Sequence, residues 1–201
     1  ICGFGRTGNW FGTQTFGMKA TSISMAKAIT SAYFPMSAIT IEEELYQAMV
    51  DESKKIGTFG HGFTYTAHPV GCAVALKTIE IYSRDKIVEH VRKVAPVFKA
   101  RLDKLAEHPL VGEARGVGLI GALELVADKK TRRAFDPKKL VGATCVNFLQ
   151  ELGLINRAMG DSVAFCPPLI ITTEEIHEMF DMVAVALDQT EAWLRKENLR
   201  Q

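Results

Sequence analysis

Between Leu110 and Val126 the chain runs as two short apolar alternations broken by glycines, GEARGVGLIGALELV, with helix-period stretches on both sides. That pattern predicts two strands of a small sheet covered by helices. Upstream, from Lys86 to about Glu107, Val91, Val94, Val97, Phe98, Leu102 and Leu105 recur at spacings of three and four. Downstream, Asp136-Pro137 is an N-cap followed by a first-turn proline, so a helix is expected through about Leu152. Leu154-Ile155 and Val163-Ala164-Phe165 flank a turn at Met159-Gly160-Asp161. Thr172 and Glu175 have capping-box spacing ahead of a last amphipathic helix, with Ile176, Phe180, Val183, Leu187 and Leu194 on its core face.

The first part is organised differently, alternating glycine-rich loops with short apolar segments. Met36 to Ile41 reads as a strand running into a helix at Glu42, with Thr40 and Glu43 in capping-box spacing. Pro69 suits the first turn of a helix covering Val70 to about Tyr82. Strands and helices interleaved in this way predict an α/β chain. The break near Ser83-Arg84-Asp85 divides it into 1–84 and 85–201. No internal repeat or low-complexity segment is present.

A net charge of +1 over 201 residues leaves no footprint for nucleic acid or an acidic membrane surface. No apolar run is long enough to span a membrane. Cys2, Cys72, Cys145 and Cys166 are far apart, so they read as reduced, buried thiols of a cytoplasmic protein and not as a disulfide frame or zinc site. The start, ICGFGR, lacks a methionine and begins as though mid-strand, so further sequence is expected upstream of Ile1.

Lys27 closes the apolar run Ile23-Ser24-Met25-Ala26, and the first 41 residues hold no Asp or Glu; their only charges are Arg6, Lys19 and Lys27. A lysine at the end of a buried strand without an acid to pair with is costly to keep charged, and the neutral amine is the form that Schiff-base chemistry needs. The alternative is a lysine that snorkels to the surface at a strand end.

Gly3-Phe-Gly5-Arg-Thr-Gly8 fits GxGxxG, but a dinucleotide site needs a following helix and an acid about 20 residues on. The first acid here is Glu42, so only a turn allowing close backbone approach is left. His61-Gly-Phe63-Thr64-Tyr-Thr-Ala-His68-Pro69 leads into a helix N-terminus, where hydroxyls and N–H groups suit a phosphate; a capped loop with solvated histidines is the alternative. Neither histidine has partners at metal spacing. Arg157 could offer a planar fork to a carboxylate or could pair with Asp161.

Taken in order, GFGRTGNWFG, ISMAKAITSAYFPMSA, HGFTYTAHPVGCAVAL, RGVGLIGALELV and GLINRAMGDSVAFCPPLIIT resemble the C-terminal portion of the class III, pyridoxal-phosphate-dependent aminotransferases. The likeness is strongest to the ω-transaminases. It implies fold type I, with the C-terminal part of a large domain, a mixed sheet with helices, in 1–84 and a small α+β C-terminal domain in 85–201. It implies pyridoxal 5′-phosphate as cofactor, and transfer of an amino group from an ω-amino acid, amine or polyamine to a keto acid such as pyruvate.

Carried over by the resemblance, Lys27 matches the lysine that bonds covalently to the cofactor and then shuttles a proton. Phe63 and Thr64 match the pair that crosses a dimer interface, Thr64 reaching the phosphate of the neighbouring subunit's cofactor. Arg157 matches the mobile arginine that binds a substrate carboxylate. A homodimer or a dimer of dimers follows, with no metal. Ala28 and Ala20-Thr21 depart from the family's usual Gly and Pro-Asp. The family's aspartate to the pyridine nitrogen, its phosphate loop and its ring-stacking aromatic would precede Ile1, so the 201 residues alone are expected not to transaminate. Competing expectations are a non-catalytic, dimer-forming relative or fragment and an aminomutase or decarboxylase of the same fold.

Overall fold

The computed structural model describes residues 1–199. They fall into two compact units, Ile1–Gly5 with Asn9–Val88, and Arg6–Gly8 with Glu89 onward.

The first unit holds a short helix α1 (Gly12–Thr15), strand β1 (Ser22–Ala26), a 3₁₀ turn (Lys27–Ile29), strand β2 (Ser37–Ile41), helix α2 (Glu43–Ile56) and helix α3 (Pro69–Arg84). β1 and β2 pair antiparallel, with Ile23 opposite Thr40 and Ala26 opposite Ser37. A small core of Phe4, Ile29 and Ala75, joined by Trp10, Met25, Met36 and Tyr82, covers one side of this ribbon. The other side is exposed, and burial along β1 alternates between exposed and half-buried. The expected capping box at Thr40 and Glu43 does not form, because Thr40 is spent in the strand ladder and Glu42 takes the N-cap position without a side-chain cap. α2 ends at Gly57, which has φ 78°. At that φ a Cβ would be strained, so glycine is the natural stop.

In the second unit α4 (Ile87–Leu105, begun in the first) leads to β3 (Val111–Val117), β4 (Ile120–Leu125), α5 (Val141–Glu151), β5 (Arg157–Met159), β6 (Ser162–Phe165) and α6 (Thr173–Lys196). The four strands form one antiparallel sheet in the order β3-β4-β6-β5. Helices gathered against an antiparallel sheet make an α+β layer. The glycines inside the expected strands have a packing reason. A Cβ on Gly121 would stand 2.7 Å from Leu102 Cδ2 and 3.1 Å from Phe98 Cε1, so their absence lets α4 settle on the β3–β4 hairpin.

The core face expected of α6 is the observed one: Ile176, Phe180, Val183, Leu187 and Leu194 are fully buried. Thr172 and Glu175 form the reciprocal cap, at 3.2 and 2.8 Å. α4 likewise buries Val91, Val94, Phe98, Leu102 and Leu105. Two details differ from the sequence reading. Asp136 caps only a 3₁₀ turn, Pro137–Lys139, because Leu140 turns to φ 53° and starts a separate helix. Leu154 and Ile155 lie outside any strand, and β5 begins at Arg157. Of the four cysteines expected to be buried thiols, all are free but only Cys145 is buried; Cys2 and Cys166 are exposed. Among the described residues no helix is long and apolar enough to cross a membrane.

Arg6–Gly8 belongs to the second unit by its bonds. Leu119 N–H donates to the Arg6 carbonyl at 2.9 Å, while Arg6 Nη1 donates to the carbonyls of Leu119 and Pro167. Arg92 Nε donates to the carbonyl of Gly8.

Candidate active site

Lys27 stands where β1 gives way to the 3₁₀ turn, and its backbone is left-handed, φ 57°. Ser31 (φ 47°) and Ala32 (φ 64°) share that region, which L-residues avoid. Three such non-glycine residues within six positions store strain, which persists only where surrounding contacts over-determine the backbone. Those contacts are specific. Thr30 is 1 % exposed, and its hydroxyl donates to the Phe34 carbonyl at 2.7 Å. Thr30 N–H donates to the Lys27 carbonyl at 3.2 Å. Ser31 Oγ lies 3.0 Å from Tyr82 Oη on α3.

The expectation that Lys27 ends a buried strand is not met. The β1–β2 ribbon is covered on one side only, and Lys27 itself is exposed. Within this chain the turn displays the amine and does not desolvate it. Among the described residues no acid pairs with Lys27.

Phe63 and Thr64 lie in an exposed turn before α3. Thr66 N–H is taken by the Phe63 carbonyl (3.0 Å) and His68 N–H by the Tyr65 carbonyl (3.2 Å), so these two are not available to a ligand. Among the described residues the hydroxyl and N–H of Thr64 have no partner. His68 is not merely solvated: its Nδ1 accepts from Val70 N–H at 3.3 Å and caps α3. Its ring lies 5.5 Å from that of Phe34. Phe34 in turn faces Gly71, where an added Cβ would stand 2.8 Å from Cε1 and 2.9 Å from Cδ1. The sequence carried no signal for this contact, since periodicity shows which face a residue occupies but not which distant segment it meets.

Lys27, Phe63 and Thr64 all belong to the first unit, and Arg157 to the second. Arg157 opens β5, opposite Ala164. It is exposed and forms no ion pair among the described residues. The alternative pairing with Asp161 does not form; that carboxylate accepts from Gly142 N–H at 3.0 Å. Asn156 Oδ1 accepts from Arg157 N–H at 2.7 Å, and this fixes the start of the strand.

The sequence model of the class-III aminotransferases matches residues 1–187, and the chain belongs to that family. It is 46% identical over 193 residues to a putrescine–pyruvate aminotransferase of Pseudomonas aeruginosa, covering 96% of this chain and 41% of that protein. It is 39% identical over 191 residues to a mitochondrial gamma-aminobutyrate transaminase of Solanum lycopersicum, covering 95% and 37%. Among solved structures, the PMP-bound aminotransferase of Vibrio fluvialis matches with a TM-score of 0.92 at 43% identity, over 96% of this chain and 42% of that one. The chain therefore spans well under half the length of these relatives. Its fold is that of fold type I, pyridoxal-phosphate-dependent transaminases.

Proposed function

We propose that this chain is the lysine-bearing portion of an ω-transaminase, which moves an amino group from an ω-amino acid, amine or polyamine to a keto acid such as pyruvate. One observation carries the reading: Lys27 presents an exposed, unpaired amine from a strained and tightly braced turn at the end of β1. An accessible amine held at a fixed point can condense with an aldehyde cofactor, and the unpartnered hydroxyl and N–H of Thr64 are suitable donors to its phosphate. Pyridoxal 5′-phosphate, when bound, supplies the electron sink for breaking a bond at the substrate carbon.

The chain's own groups then have distinct tasks. Lys27 Nζ would hold the cofactor and would take and return a proton at the substrate carbon as a general base. Thr64 holds phosphate through Oγ1 and its backbone N–H, beside Phe63, in a homodimer or dimer of dimers where this loop serves the neighbouring subunit. Arg157 receives a substrate carboxylate in its planar fork. Residues 1–84 act as part of the large cofactor-binding domain and 85–201 as the small domain, in a cytoplasmic enzyme. The likeness to a putrescine–pyruvate aminotransferase and to a gamma-aminobutyrate transaminase supports a donor whose amine is remote from any carboxylate. Since the chain spans 41% of the first of these, the piece alone is expected to be inactive.

The test is a visible spectrum of the longest natural form of the protein with pyridoxal phosphate, before and after an amine donor. Borohydride reduction and peptide mapping follow. A band that bleaches with donor, and label on Lys27, is the expected result. A band on Lys27 that ignores every donor would favour a non-catalytic relative, and donor turnover without amino transfer would favour an aminomutase or decarboxylase. No specific adduct would overturn the enzyme reading.

A further inference from the structure

We infer that Phe34 is a positioning residue for Lys27, wedging the lysine turn against the start of α3 so that a change at Gly71 is felt at the amine. This rests on the reading of Lys27 as the cofactor anchor. The backbone of Phe34 and its ring do separate things. The carbonyl takes the hydroxyl of buried Thr30 at 2.7 Å, and Thr30 N–H donates to the Lys27 carbonyl at 3.2 Å, beside Ala32 N–H at 3.4 Å. The ring rests on α3 at Gly71, with no room for a methyl, and beside His68, which caps the same helix.

The route from α3 to Lys27 is therefore short: Gly71, the Phe34 ring, the Phe34 carbonyl, Thr30, and the Lys27 carbonyl. At its end sits a left-handed residue that the turn alone would not favour. A second tie, Ser31 to Tyr82, fixes the same turn to the far part of α3. With two attachments to one helix, the turn has little freedom to absorb a shift of the ring. A Cβ at Gly71 lies within 3.0 Å of two ring carbons, so the ring or the helix must move.

The experiment measures how fast Lys27 is labelled by pyridoxal phosphate and borohydride in the apo form of the longest natural chain, with the melting temperature recorded in parallel. The variants are Gly71→Ala, Phe34→Ala, the double variant, and Thr30→Val. Thr30→Val removes the hydroxyl that the Phe34 carbonyl accepts without touching Gly71, so it serves if Gly71→Ala does not fold. Thr30→Ser, which keeps that hydroxyl, is its control. Gly71→Ala is expected to slow labelling about tenfold or more, since misplacement of a reacting group by an ångström can cost that much. In the Phe34→Ala background, Gly71→Ala should add nothing further. Thr30→Val should slow labelling and lower the melting temperature, since the Phe34 carbonyl loses its donor, while Thr30→Ser should label at close to the unaltered rate. The inference is overturned if Gly71→Ala slows labelling equally with and without the Phe34 ring. It is also overturned if neither Gly71→Ala nor Thr30→Val changes the rate while the unaltered protein labels on Lys27. An unaltered protein that does not label on Lys27 at all overturns the anchor reading itself.

Discussion

The Asp161 carboxylate accepts the backbone N–H of Gly142 at 3.0 Å, and that bond ties the β5–β6 turn to the first turn of α5. The N–H groups at a helix start have no partner within the helix, so an acceptor supplied from outside satisfies one of them. The acid closest in sequence to Arg157 is thereby tied to α5, and Arg157 forms no ion pair among the described residues. The approach is close enough that glycine is required: a Cβ on residue 142 would come within 2.2 Å of the Gly160 carbonyl oxygen.

Gly142→Ala should therefore force the Arg157 hairpin away from α5. Overpacking of this kind costs about 1–3 kcal/mol, and urea unfolding should read that loss.

Replacing Arg157 should separate substrates by charge. In the longest natural form, Arg157→Ala is expected to raise KM for ω-amino acids about ten- to a hundredfold, the worth of a charge-assisted hydrogen bond of roughly 1.5–3 kcal/mol. Steady-state kinetics with an uncharged amine donor should show little change. An equal loss for both donors would remove Arg157 from carboxylate recognition.

Phe180 joins two other rings in the second unit, 5.2 Å from Phe98 and 5.5 Å from Phe165, and is fully buried. Phe180→Ala should cost about 3–5 kcal/mol by loss of buried area and the cavity left behind. The midpoint of chemical denaturation would show it.

Cys145 gives a pH signature. Burial pushes its thiol above the ordinary range, with the Thr190 hydroxyl pulling weakly the other way. The folded state thus prefers the protonated thiol. The stability contributed is fully present below the ordinary thiol value of about 8.5 and is lost as the pH rises through and beyond it. Urea midpoints measured from neutral to alkaline pH should fall more steeply in the unaltered protein than in Cys145→Ala. Iodoacetamide at mildly alkaline pH should reach exposed Cys2 and Cys166 well before Cys145.

What could be read in advance depended on whether the signal was local. The Thr172–Glu175 cap and the core face of α6 were legible because both lie within one helix. The same spacing misled at Thr40–Glu43, where pairing with β1 claimed the threonine first. Asp136-Pro137 did mark a helical start, but the left-handed Leu140 that splits the segment has no sequence signature, being neither glycine nor asparagine. Lys27, Thr64 and Arg157 stand out in the sequence only through their place in ordered motifs. The exposure of β1 was not legible, because an apolar run does not say how many of its faces will be covered. Nor was the Phe34–Gly71 contact, which joins two segments with no shared periodicity.

The hydrogen bonds of Arg6 have a consequence for assembly on the ribosome. Its two carbonyl acceptors lie 113 and 161 residues further along the chain. At a synthesis rate of about 5–20 residues per second, Arg6 waits roughly 8–30 s before Pro167 has been made. During that time the β3–β4 hairpin emerges and can close, while the bond from Arg6 to the Pro167 carbonyl cannot yet form. Contacts of such long sequence separation slow folding, so locking of the second unit through Arg6 must wait for a segment synthesised long after it.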